Sequence, residues 1–193
     1  YNWVHHLQGQ SYQEYMAGRP ATLLNTIARK KRKLEREHGY EIRLFTGAEV
    51  PSRMADYHVV YNASWKQNEV RNADLQNCFV GAFSQAGWSR LAIMYIQAQP
   101  VAAQLWFVCR NKAIIFRLAH DKAWRQYSTG SILTSFLTEY VIDTDRVDEI
   151  DSYKQDWMSE RRERFLLSCI ENKRPASGYA RAVASLKQVL KWG

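Results

Sequence analysis

No apolar run in this chain of 193 residues approaches the ~18 residues that a helix needs to cross a bilayer, so no membrane span is expected. Cysteine is scarce. Cys78, Cys109 and Cys169 each stand alone inside an apolar stretch, a pattern of buried free thiols in a reducing compartment rather than of a disulfide framework. His5 and His6 adjoin each other with no partner at metal-ligand spacing, so no metal site is expected. The chain lacks a Ser, His, Asp order with the glycines of a nucleophile elbow, and none of its cysteines is placed as a nucleophile. Direct attack by an acceptor is therefore the simpler scheme for any group transfer. Internal repeats and low-complexity tracts are absent. There is no signal-like segment and no initiator Met, and the chain opens in a strand-like stretch, which predicts a piece of a longer, cytoplasmic protein.

What is present is an ordinary globular balance, 46% apolar and 24% charged, enough for one domain with a sizeable core. The formal charge of +8 favours phosphate-bearing partners. Much of that charge is local, because residues 29–36 (RKKRKLER) carry six cations. One reading is a solvated helix face; the other is a contact for the phosphates of a nucleotide carrier or an RNA.

Residues 2–7 read as an edge strand with His5 and His6 facing opposite ways. Ser11 caps a short helix, and a longer one starts near Ala21 and ends at His38 and Gly39. Residues 40–45 alternate as a strand. Residues 54–66 form a helix whose face is Tyr57, Val60, Tyr61 and Trp65, and 73–86 form another. Residues 88–96, 101–110 and 113–119 read as three strands in meander order, with turns at 98–100 and 111–112. Gln104 interrupts the second of them, either as a satisfied core amide or as a group pointing into a cleft. A polar turn follows; Thr129 caps a helix with Ile132, Leu133, Phe136, Leu137, Tyr140 and Val141 on one face. Residues 146–151 make a short strand, with Asp148 and Ile150 on one side and Glu149 and Asp151 on the other. Residues 153–164 are helical or looped, 165–170 a last strand, and 179–192 an amphipathic helix beyond a linker. Three sections result: 1–38, 39–174 and 175–193.

The turn at 125–131 is the most informative stretch. Ser128, Thr129, Gly130 and Ser131 at a helix start are ordinary capping chemistry, but the same amides, at the positive end of the helix dipole, suit a pyrophosphate. Residues 11–20 (SYQEYMAGRP), 29–36, 63–66 (ASWK), 87–91 (GWSRL), 100–108 (PVAAQLWFV), 127–133 (YSTGSIL), 148–151 (DEID) and 153–158 (YKQDWM) together resemble the CelD-like branch of the GNAT acyltransferases, a branch linked to cellulose and exopolysaccharide production. The resemblance spans nearly the whole chain. It implies an α/β (α+β) fold with a mixed, largely antiparallel central sheet flanked by helices. It also implies transfer of an acyl group, most simply acetyl, from acyl-CoA or an acyl carrier to an amine on a small molecule or sugar precursor.

Carried over by position, the resemblance puts the carrier phosphates on Arg125, Gln126, Ser128, Thr129, Gly130 and Ser131. Read from Arg125, a serine replaces the first glycine of the superfamily motif. The acceptor side falls on Trp65, Lys66 and Glu69. Residues 153–157 (YKQDW) are similar to a Phe-Lys element of the Fem aminoacyltransferases, which take their acyl unit from aminoacyl-tRNA. That likeness implies Lys154 at the reaction centre, and it makes tRNA the alternative partner. For a general base, Asp148, Glu149, Asp151 and Glu69 are candidates, as is His120 at the end of the third strand; Asp151, at a strand end beside Lys154, ranks ahead of His120. A catalytically inactive module of the same fold is the remaining reading.

Overall fold

The three apolar runs of the middle of the chain become the middle of one sheet. The structure is a computed structural model, and it describes residues 2–65 and 73–163, all within one compact unit, Tyr1–Glu163. Its strands are β1 (Asn2–His6), β2 (Glu41–Thr46), β3 (Ser89–Ile96), β4 (Gln99–Cys109), β5 (Lys112–His120), β6 (Glu149–Ser152) and β7 (Glu160–Arg162). They lie in the order β2-β3-β4-β5-β6-β1-β7, and every pair is antiparallel except β5 with β6. The helices are α1 (Tyr12–Ala17), α2 (Ala21–Glu37), α3 (Val50–Ala63), α4 (Ala73–Gln85) and α5 (Thr129–Asp143). The expected mixed, largely antiparallel sheet flanked by helices is what forms. No helix among the described residues is long and apolar enough to cross a membrane.

Strand alternation assigns each face its helices. Ala92, Met94, Ile96, Ala102 and Trp106 point to the face covered by α2 and α5, where Leu34, Leu133, Leu137 and Val141 are fully buried. Leu91, Ile93, Ala103, Leu105 and Phe107 point to the other face, against Val50, Tyr57, Val60 and Val80 of α3 and α4. Burying each such aliphatic side chain contributes roughly 1.5–3 kcal/mol, so the sheet is held from both sides.

One break in this order positions the site. β5 pairs with the parallel β6 only through Lys112, Ala113 and Ile114, opposite Glu149, Ile150 and Asp151. Residues 115–120 of β5 run on past the end of that ladder while β6 stops at Ser152. A parallel pair needs a crossover, and α5 supplies it. The sheet therefore opens between β5 and β6 at the end where α5 begins.

Several local expectations are corrected. β1 is not an edge strand: it lies between β6 and β7, because residues 160–162 of the supposed polar segment add a short outer strand. Its two histidines do face opposite ways, His5 buried and His6 exposed. α3 starts earlier, at Val50, since Pro51 fits the first helical turn, and it stops at Ala63, where extended Ser64 closes it with a hydroxyl bond to the Tyr61 carbonyl at 2.7 Å. Trp65 therefore leaves the helix face and is exposed. The hairpin turns sit at Gln97–Ala98 and Arg110–Asn111, each a residue pair with two positive φ angles, the geometry that matches strand twist. Cys78 is exposed rather than buried, and Cys109 is intermediate; both are free. Cys169, the strand at 165–170 and the helix at 179–192 lie outside the described residues.

Candidate functional site

After β5 the chain makes a 3-10 turn, Lys122–Tyr127, opened by Asp121, whose carboxylate accepts from the Ala123 amide at 2.9 Å. Ser128, not Thr129, then occupies the cap position of α5, with φ 52 and ψ 42. A left-handed serine costs about 1 kcal/mol or more relative to an ordinary conformation, and such strain collects at ligand-binding turns. Thr129 is already helical and buried, with no hydrogen-bond partner for its hydroxyl. Thr129 and Gly130 are the first two residues of α5, so their amides precede the first intrahelical bonds and lie at its positive end.

The turn is braced by α2. Lys30 Nζ donates to the Gln126 carbonyl, and Lys33 Nζ lies 5.2 Å from the centre of the Tyr127 ring. The Tyr127 hydroxyl donates to Glu37 at 2.9 Å and contacts His38 Nε2 at 2.8 Å. Part of the basic run is thus structural, while Arg29, Lys31 and Arg32 stay exposed.

A cavity of about 280 Å³ opens at this point, lined by Leu118 and His120 of β5, Arg125, Ser128, Gly130, Ser131 and, from beyond β6, Lys154. A second cavity, about 470 Å³, is lined by Trp65, His120, Lys122 and Arg125, so the two share His120 and Arg125. A side chain added at Gly130 would have its Cβ 3.6 Å from His120 Nδ1, which shows how closely the imidazole approaches the helix start.

Lys154 reaches the first cavity from a position anchored by its own amide, which donates to Ser152 Oγ at 3.0 Å. Its Nζ donates to Thr134 Oγ1 at 3.2 Å and lies 5.9 Å from the Trp157 ring centre. Loss of solvent lowers its pKa to about 8, leaving a sizeable neutral fraction near physiological pH. Gln104, unread in the sequence as between core and cleft, is a satisfied core amide at the sheet–α5 contact.

Of the residues singled out in sequence, six of the turn and reaction set meet in the first cavity: His120, Arg125, Ser128, Gly130, Ser131 and Lys154. Trp65 lines the adjoining one. Asp151 lines neither. It is buried on the other side of β6, where its carboxylate accepts from Asn2 Nδ2 and lies 3.8 Å from Arg162. Gln126 contributes its carbonyl to Lys30. Lys66 and Glu69 lie outside the described residues. Sequence reasoning missed Thr134 and Lys122; nothing in a lone threonine on an apolar helix distinguishes it from a packing residue. Among the described residues no group of three His, Cys, Asp or Glu could hold a metal.

The architecture has relatives of known structure. FemX superposes with a TM-score of 0.60 at 7% identity, covering 97% of this chain and 57% of FemX. The C-terminal DUF2156 domain of a protein from Agrobacterium fabrum named for lysylphosphatidylglycerol synthesis gives 0.53 at 13%, covering 78% and 45%. The acetyltransferase AAC(6')-Iy, solved with a bisubstrate analogue containing CoA, gives 0.51 at 10%, covering 68% of this chain and 98% of that one. The chain therefore spans about half the length of the first two. At these identities the likeness is one of fold. No curated protein sequence matches the chain. The model of the acetyltransferase (GNAT) domain family does match, over residues 21–161, a span that holds α2, the split in the sheet, the turn before α5 and Lys154; the chain belongs to that family.

Proposed function

We propose that this chain moves an acyl group, in the simplest case acetyl, from acyl-CoA or an acyl carrier to an amine acceptor, with a sugar precursor of exopolysaccharide or cellulose synthesis as the acceptor class. General acyl transfer is the activity that the family supports. The observation that carries the reading is the single cavity in which the open end of α5, Arg125, His120 and Lys154 converge beside the split in the sheet. Amides at a helix start and an adjacent guanidinium suit the carrier phosphates. Ser128, Thr129, Gly130 and Ser131 provide the start, and Arg125 the cation, with Gln126 held in place by Lys30. The Lys154 ammonium is placed to stabilise the oxyanion that develops when the thioester carbonyl is attacked. His120, shared by both cavities, is assigned as the base that takes the acceptor proton. Asp151 is the weaker of the two bases, since its carboxylate is committed to Asn2 and Arg162. Trp65, with Lys66 and Glu69 following it in sequence, is assigned to the acceptor side.

The test is a panel of acyl-CoA thioesters and amine acceptors with the intact chain, read as saturable binding and as free thiol released. No binding to any thioester carrier would sink the reading.

One observation favours a second reading, in which the acyl unit arrives on tRNA. Arg29 and Arg32 are exposed on the helix whose Lys30 grips the turn, so a polyanion seated on the turn would meet them. Steep salt dependence of tRNA binding, with no acyl-CoA binding, would favour it over the first.

A further inference from the structure

Gln104 and Thr134 are both 0% exposed in a contact between sheet and helix that is mostly apolar. Leucine and valine would fill the same space without a desolvation cost, so the polar pair needs a reason. The hydrogen-bond valences supply one. The Thr134 hydroxyl has one proton, and it goes to the Gly130 carbonyl at 2.8 Å. That leaves two acceptor directions on Oγ1, filled by Gln104 Nε2 at 2.8 Å and by Lys154 Nζ at 3.2 Å. The second proton of Gln104 Nε2 also goes to the Gly130 carbonyl, at 2.8 Å. What fixes the amide this way round is Trp106, whose indole N–H donates to Gln104 Oε1 at 2.9 Å and can do nothing but donate. Each group is thereby forced: the indole orients the amide, the amide orients the hydroxyl, and the hydroxyl presents an oxygen rather than a proton to Lys154.

We infer that Gln104 and Thr134 are positioning residues which hold the Lys154 amine at the cavity wall and lock it to the Gly130 carbonyl of the anion-binding turn. The charged and titratable groups that face Lys154 across the cavity are His120 from β5 and Arg125 from the 3-10 turn; no carboxylate is among the described residues lining it. The amine is held by a hydrogen-bond relay from the sheet rather than by an ion pair. The relay also bridges a lysine approaching from beyond β6 and the turn at the start of α5, where β6 and β5 have separated.

This inference rests on the reading of Lys154 as a functional group, and its test has a readout of its own. Lysine labelled at Cε is followed by NMR through a pH titration of the intact chain, with Lys154 assigned by its loss in Lys154→Arg. Thr134→Val, which keeps the shape and removes the acceptor, is expected to lower the Lys154 midpoint by about one pH unit, because the charged form loses its partner. Thr134→Ser is expected to restore it. Gln104→Met, close in volume, frees the Thr134 hydroxyl to turn and is expected to shift the midpoint in the same direction by a smaller amount. An unmoved midpoint in folded Thr134→Val, or in Gln104→Met, would overturn the inference, as would failure of Thr134→Ser to restore it. Absence of acyl transfer in the unaltered chain would strike only at the proposed function and leave this titration readable, so the two fail separately.

Discussion

Nζ of Lys154 and Oγ1 of Thr134 stand 3.2 Å apart, joining a residue beyond the end of β6, which lines the cavity, to the buried second turn of α5. Nothing acidic is needed for that contact, and removal from solvent brings the amine down to about 8. If the ammonium stabilises the oxyanion, transfer falls as pH rises through about 8. Lys154→Arg keeps its charge and moves this limb to higher pH, while Lys154→Ala lowers kcat by about 10²- to 10³-fold. A kcat profile over pH 6–10 checks both. The linkage sign is opposite to that of a stabilising pair. The folded midpoint lies below the ordinary lysine value, so the unfolded chain holds the proton longer, and this group's contribution to stability rises as pH climbs from about 8 toward 10.5.

Gly130 leaves room for a methyl group at ordinary contact distance from His120, and a branched side chain there would take up space in the cavity it lines. Gly130→Ala is expected to bind acetyl-CoA within about threefold of the unaltered chain. Gly130→Leu is expected to raise Kd by at least about tenfold, with an unchanged circular dichroism spectrum. Calorimetric titration with acetyl-CoA distinguishes them.

The carboxylate of Glu149, 4% exposed, is forked by Arg162 at 2.7 and 2.8 Å and approached by Lys112 at 3.4 Å. Arg162 holds it below the usual carboxylate range. A depressed folded value means that the stabilisation is present above the unfolded value and is lost as pH falls through the folded one. Arg162→Leu should therefore cost about 2 kcal/mol at pH 7 and shrink that difference in acid. Urea melts at pH 7 and pH 3 measure it. An equal cost at both pH values would contradict the account.

Arg29 and Arg32 separate the two carrier chemistries. Reversing both to glutamate is expected to change acetyl-CoA affinity by less than about twofold if, as proposed, Arg125 and the start of α5 hold the phosphates. A tRNA tracking α2 would instead lose affinity steeply and show a shallower salt slope. Binding isotherms at several salt concentrations decide between them.

Much of this fold is legible in the amino-acid sequence because its strands are unusually dense in apolar residues and its turns are polar. Leu91, Trp106 and Ile115 announce a sheet, and the stripe of Ile132, Leu133 and Leu137 announces the helix that crosses it. The candidate cavity was legible at the residues clustered in one turn, at His120 by its strand end and at Lys154 by resemblance, but not at the contacts that hold them. Thr134 and Gln104 gain their meaning from a contact between a strand and a helix, across 30 residues of sequence. Asp151 shows the reverse error in reasoning from proximity. It sits three positions before Lys154, yet strand alternation sends its carboxylate to the other face of β6, toward Arg162. The β7 strand was hidden because Glu160, Arg161 and Arg162 are all charged, and only backbone pairing with β1 recruits them.

The short ladder between β5 and β6 has a consequence for what can enter. Beyond Ile114 the main chain of β5 offers its peptide groups along the side that β6 has left. An extended arm containing amide bonds could lie in that slot as a surrogate strand, gaining main-chain hydrogen bonds without displacing any rung already made. Recognition of that kind is indifferent to side-chain identity. It would let the wall of the cleft diverge freely in sequence while continuing to accept the same arm.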